Sequence, residues 1–127
     1  MGSGPHRHSP RILICDDEPS VRELLKIVLG DDYEIGEAAD GVEALELVRK
    51  LRPDVVVLDA MMPGQTGLQV LSEVRRDPGL ADTPVIMITA WDHVELAARE
   101  AGADRFLLKP FAAEELRAAV EELLNDR

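Results

Sequence analysis

Five polar residues stand at the ends of short apolar runs in this chain. Asp16 and Asp17 follow Arg11–Cys15, and Asp59 closes Val55-Val56-Val57-Leu58. Thr89 closes Val85-Ile86-Met87-Ile88, and Lys109 follows Arg105–Leu108. Singly, each has an ordinary explanation. An aspartate at a strand end is commonly a turn former, a lysine a solvated surface group and a threonine a plain strand residue. Those readings leave the coincidence unexplained, because the five stand at matching points of successive apolar segments. Three carboxylates brought together repel, and at least one pKa rises unless a cation intervenes. Hard oxygen ligands in small number suit Mg2+. Carboxylates with a divalent ion, an amine and a hydroxyl form an electrostatic clamp. Phosphoryl transfer uses such a clamp, since its catalysis is mostly positioning and charge neutralisation. Asp59, on the central run, is the carboxylate best placed to attack phosphorus. Lys109 and the Thr89 hydroxyl are the available partners for the oxygens of an acyl phosphate.

Whether these residues meet depends on the elements that carry them. Val55–Asp59 reads as a strand buried on both faces, and Pro63-Gly64 forbids regular structure soon after it. Arg11–Cys15, Val85–Thr89 and Arg105–Leu108 read as further strands, and Tyr33–Ala38 as a weaker one near an edge. Helical stripes lie between them. Val21, Leu24, Leu25, Val28 and Leu29 follow Pro19, with Asp17 or Glu18 near the cap. Ala44, Leu45, Val48 and Leu51 follow Asp40-Gly41, and Val70, Leu71 and Val74 follow a Thr66 cap. A helix over Asp92–Ala101 carries a thin inward face of Leu96, Ala97 and Ala101 and stops at Gly102. A last helix turns Leu116, Ala119, Val120, Leu123 and Leu124 inward. Five strands alternating with five helices predict an α/β fold: a flavodoxin-like, doubly wound parallel sheet with helices on both faces. Its ligand site lies at the carboxyl ends of the strands, where chain order reverses. With the order 2-1-3-4-5, the first and third strands are neighbours there, and the three carboxylates fall close together.

Composition narrows the function. A length of 127 residues suits one domain. A formal net charge of −11 argues against direct nucleic-acid binding, which needs a basic patch, and against anionic membranes. The single cysteine, Cys15, rules out an internal disulfide and fits a reducing, cytoplasmic setting. No apolar run approaches the length of a membrane span. Residues 1–10 lack periodicity and read as a disordered leader, in which His6 and His8 have no third ligand to make a metal site.

Four pieces in order, namely Asp16-Asp17, the Asp59-x-x-Met62-Pro63-Gly64-x-x-Gly67 run, Thr89-Ala90 and Phe106-x-x-Lys109-Pro110, resemble the receiver domain of response regulators in two-component signalling. The resemblance covers about Arg11 to Leu124, so residues 11–127 read as one receiver domain. It implies Asp59 as the phosphoacceptor and Asp17 as a direct Mg2+ ligand. Asp16 would act mainly through water, and the Met61 carbonyl would complete the set. It implies that Lys109 pairs with the phosphoryl oxygens, that Thr89 moves to bond them, and that Phe106 turns inward as the second switch residue. It also implies a cis Lys109-Pro110 bond. The expected donor is a histidine kinase or a phosphotransfer protein. The expected output is a downstream protein met by the fourth helix, fifth strand and fifth helix. The domain would catalyse its own phosphorylation and dephosphorylation, yet act as a switch more than an enzyme. No effector domain is expected after Arg127. Met61 and Trp91 offer no group to orient water, which predicts a long-lived acyl phosphate. Phe106 replaces a common tyrosine and has no hydroxyl. Two rivals remain. One is a phosphorylation-silent, receiver-like interaction module, which usually lacks one of the acids or the lysine. The other is an aspartyl phosphatase, which would want a carboxylate at position 61.

Overall fold

The structure is a computed structural model that describes residues 9–126. In chain order it runs β1 (Arg11–Cys15), α1 (Pro19–Leu29), β2 (Glu34–Ala38), α2 (Gly41–Leu51), β3 (Val55–Asp59), α3 (Gly67–Arg76), β4 (Val85–Thr89), α4 (Glu95–Ala101), β5 (Arg105–Leu108) and α5 (Ala113–Asn125). The five strands are parallel and ordered β2-β1-β3-β4-β5. This is the flavodoxin-like, doubly wound order expected from the alternation of strand and helix patterns. β3 and β4 are buried along their whole length, as central strands covered on both faces must be. β2, at one edge, has exposed Glu34 and Glu37 around half-buried Ile35 and Gly36 before ending at buried Ala38.

Alternate residues of the strands feed two apolar layers. Leu13, Val56, Leu58 and Met87 point into the layer that α2, α3 and α4 cover. Ile12, Ile14, Val55, Val57, Ile86 and Ile88 point into the layer under α1 and α5. The caps follow local chemistry. Asp40 accepts from the Glu43 N–H at 2.8 Å at the start of α2. At the start of α3, Thr66 and Gln69 exchange bonds in a capping box. Gly67 sits so close to the end of β3 that a Cβ there would collide with the Asp59 carbonyl. Only glycine lets α3 start beside the end of β3.

Three details differ from the sequence-based expectation. Leu24 is exposed, because the buried line of α1 runs through Leu25 and Leu29 with Val21 and Val28 at its margin. The inward residues around α4 are Val94 and Ala98, with Ala101 partly buried, whereas Leu96 is 67% exposed and Ala97 also faces out. A 3-10 turn over Asp92–Val94 precedes α4 and makes Val94 the first anchor, which rotates the face away from Leu96. Glu18 occupies the N-cap of α1 without a side-chain bond; neither it nor Asp17 serves as a side-chain cap. Most of the expected leader, His6 and His8 included, lies outside the described residues. Its last residue, Pro10, accepts from the Glu34 N–H at 2.9 Å.

Candidate functional site

Three strand ends are finished by the same device. Asp16 Oδ1 accepts from the Glu18 N–H at 3.0 Å, Asp59 Oδ1 from the Met61 N–H at 3.0 Å and Thr89 Oγ1 from the Trp91 N–H at 3.3 Å. A side-chain oxygen thus bonds the backbone two residues on, turning the chain off the sheet. A turn-forming role therefore does not exclude a chemical one. Each aspartate commits one oxygen to the turn and keeps the other for the pocket.

Both remaining oxygens meet one amine. Lys109 Nζ lies 3.0 Å from Asp16 Oδ2 and 3.3 Å from Asp59 Oδ2. Lys109 is delivered by the extension of β5, whose backbone N–H donates to the Thr89 carbonyl at 2.7 Å. The Lys109-Pro110 bond is cis. Asp17 follows Asp16 on the β1–α1 turn and is exposed. One carboxylate oxygen from each of Asp16, Asp17 and Asp59 lies within 4.8 Å of the other two. Asp16, Asp59 and Thr89 are the buried polar side chains of the described residues, and all three stand on this rim. The sheet thus gathers all five residues singled out by type and spacing. Phe106, in the middle of β5, is half-buried and packs against the layer under α2–α4.

The electrostatics are those of a crowded acidic pocket. Burial pushes the Asp59 carboxyl up from 3.8 to about 6. The Met61 N–H and the Lys109 ammonium pull it down, and neighbouring Asp16 pushes it up further. For Lys109, burial alone would lower the pKa, but the bonds to Asp16 and Asp59 outweigh it and raise the value. One ammonium pairs with two of the three clustered carboxylates, which leaves negative charge that a small hard cation fits. The donor set is all oxygen and one member is solvent-facing, as Mg2+ prefers. Asp16, Asp17 and Asp59 are the residues that could hold it.

The protein-family comparison matches residues 12–121 to the response regulator receiver domain. The chain belongs to that family. Curated relatives of this receiver domain include the DNA-binding response regulator MtrA of Mycolicibacterium smegmatis, 44% identical over 118 residues. The response regulator MprA of a Mycobacterium species is 47% identical over 118 residues. Each alignment covers 91% of this chain and 50% of the relative. The chain therefore spans about half the length of the curated relatives it matches. Among solved structures, the Francisella response regulator 1452 receiver domain superposes with a TM-score of 0.85 at 32% identity, covering 92% of this chain and 98% of that one. The chemotaxis protein CheY4 of Vibrio cholerae gives 0.83 at 33% identity, covering 92% and 100%.

Two features of the receiver domain's site go beyond the sequence reading, which singles out Met61 and Trp91 themselves: the groove those two line and the bond made by Arg22. Met61 and Trp91, both about half exposed, line an open groove of about 260 Å3 together with His93 and Val94. The ring centroids of Trp91 and His93 are 5.9 Å apart in an edge-on arrangement. Arg22, on the first turn of α1, donates to the Asp16 carbonyl at 2.7 Å. Spacing after Asp59 and Thr89 points to Met61 and Trp91, but no spacing signal identifies His93 and Val94 as their neighbours or the Asp16 carbonyl as the partner of Arg22. Among the described residues, no helix is long and apolar enough to cross a membrane.

Proposed function

We propose that this receiver domain accepts a phosphoryl group on Asp59 from the phosphohistidine of a histidine kinase or phosphotransfer protein. The free oxygen of Asp59 attacks phosphorus, and the bond from phosphorus to the imidazole nitrogen breaks, its electron pair returning to nitrogen. The acceptor must be ionised, and a pKa of about 6 leaves the Asp59 carboxylate largely ionised near neutral pH while keeping it basic enough to attack. Asp16, Asp17, Asp59 and the Met61 carbonyl would hold Mg2+, which when bound neutralises charge on the phosphoryl oxygens. Lys109 pairs with one phosphoryl oxygen, Thr89 turns its hydroxyl to another, and Phe106 moves inward behind it. Water later releases phosphate and restores Asp59. Met61 and Trp91 carry no carboxamide or carboxylate to orient that water, so the acyl phosphate is long-lived.

The observation that carries this reading is the division of labour at Asp59. One oxygen is tied to the Met61 N–H, and the other faces Lys109 within a cluster of three acids. An apolar groove of about 410 Å3 beside Lys109, lined by Val21, Leu24, Ala90, Pro110 and Phe111 among others, supports docking of a donor protein. Exposed Leu96 and Leu108 support an output surface along α4, β5 and α5. The domain boundaries, 11–127, and a cytoplasmic setting belong to the same reading. Beryllofluoride, which mimics a phosphoryl group, tests it. Binding that requires Mg2+ and is lost in Asp59→Ala supports an active switch, whereas no binding to the wild type leaves a phosphorylation-silent interaction module.

A further inference from the structure

Asp16 is held on every side. Its N–H donates to the Ala38 carbonyl of β2 at 3.1 Å, its two carboxylate oxygens meet the Glu18 N–H and Lys109, and its carbonyl accepts from Arg22. Asp17, one peptide further on, is exposed. The peptide between them is thus fixed from the Asp16 side alone. The Arg22 bond is the shortest of the set at 2.7 Å, and it acts on the carbonyl, the atom that sets the plane of that peptide. Arg22 is itself aimed by β2, because its Nε donates to Glu37 Oε1 at 3.0 Å. Its side chain is 16% exposed and Glu37 is also held by Lys26 at 2.9 Å. The guanidinium therefore bridges β2 to the turn that carries the acids. Its fork geometry allows both bonds at once.

We propose that Arg22 is a positioning residue of the cation site: by holding the Asp16 carbonyl it fixes the direction in which the Asp17 carboxylate leaves the β1–α1 turn. The proposal rests on the cation-binding reading above. Groups that orient a ligand from behind commonly govern metal affinity by about 10–100-fold. Charge alone predicts the opposite sign, because removing a cation bonded to the turn that carries Asp16 and Asp17 favours a divalent ion. The two effects can therefore be separated by direction.

The test is a Mg2+ titration of the whole chain, read by calorimetry and by the fluorescence of Trp91, its one tryptophan. Wild type, Arg22→Ala, Arg22→Lys and Asp17→Asn are compared, with thermal midpoints taken without Mg2+. Arg22→Ala binds Mg2+ roughly tenfold more weakly. Arg22→Lys, which can still reach the carbonyl as a point donor, recovers most of the loss. Unchanged or tighter binding in Arg22→Ala overturns the positioning role, as does an Arg22→Lys variant no better than Arg22→Ala. If Arg22→Ala does not fold, Arg22→Gln carries the same comparison, since its amide is too short to make both bonds. Failure of the cation reading itself looks different: wild type and Asp17→Asn then titrate alike, and the positioning role falls with it.

Discussion

The two rims of the sheet both carry ionic side chains, and they balance them differently. At the amino-terminal rim, Arg75 of α3 donates to the carbonyls of Gly102, Ala81 and Thr83 and to Asp104 Oδ2, at 2.7–3.1 Å. Asp104 in turn accepts from the Val85 N–H at 2.8 Å. Asp54 accepts from the Arg11 N–H at 2.7 Å, and Arg11 donates to the Leu51 carbonyl at 2.9 Å. Charges there close orphan backbone groups at the starts of strands and the ends of helices. At the carboxyl-terminal rim, Asp16 and Asp59 share Lys109, and Asp17 adds a third carboxylate to the cluster. Two of those acids are buried, and the sum does not balance. A rim that holds the fold neutralises its charges locally, while a rim that binds something keeps charge of one sign in reserve.

The largest effect that would sharpen the contrast is loss of Arg75. Arg75→Ala removes five hydrogen bonds at a half-buried position and destabilises the domain by about 3 kcal/mol in urea unfolding. Less than about 1 kcal/mol would break the comparison, because Arg75 would then behave as a surface ion pair.

The opposite sign is expected across the sheet. The folded pKa of Asp59 is raised above its unfolded value, so its contribution to stability is full below about pH 4 and is lost as pH rises to about 6. Asp59→Asn therefore stabilises the Mg2+-free protein by about 2 kcal/mol at pH 8, and by far less at pH 4. A destabilised Asp59→Asn at pH 8 would show the rim to be balanced after all. Mg2+ at ten times its dissociation constant adds about 1.4 kcal/mol to the wild type, and Asp17→Asn gains much less.

Of similar size is the lifetime of the acyl phosphate. Met61→Asn with Trp91→Glu supplies groups that can orient water, and decay speeds up about tenfold, or ~1.4 kcal/mol in barrier. Wild-type decay as fast as the variant's would remove the account of a long-lived signal. The smallest effect belongs to the outer ion pairs. Glu34→Gln breaks the 3.3 Å pair with Arg11, both side chains being about half exposed, and shifts stability by no more than about 0.5 kcal/mol.

Much of this architecture is legible in the chain because period and burial agree. Val55–Leu58 and Val85–Ile88 are apolar without interruption, and both are central strands buried throughout. The site is legible for a related reason: Asp16, Asp59, Thr89 and Lys109 interrupt apolar runs at a common height of the sheet. What hides is set by irregular backbone. The 3-10 turn before α4 exchanges Leu96 and Ala97 for Val94 and Ala98 as the inward residues, and a seven-residue helix gives periodicity too little length to reveal it. Arg22 reads as a polar residue on an amphipathic helix, and its partner is a carbonyl that every residue possesses. In α1 the stripe of apolar residues is wider than the buried line, so Leu24 passes for core.

The central claim is that the unbalanced rim exists to receive phosphorus at one atom group. Incubation of the full chain with acetyl phosphate, followed by intact-mass measurement, tests it most directly. The account predicts that wild type gains the mass of one phosphoryl group in Mg2+ and none in EDTA, and that Asp59→Asn gains none in either. A wild type that stays unmodified, a label that survives in Asp59→Asn, or a label indifferent to Mg2+ would contradict it.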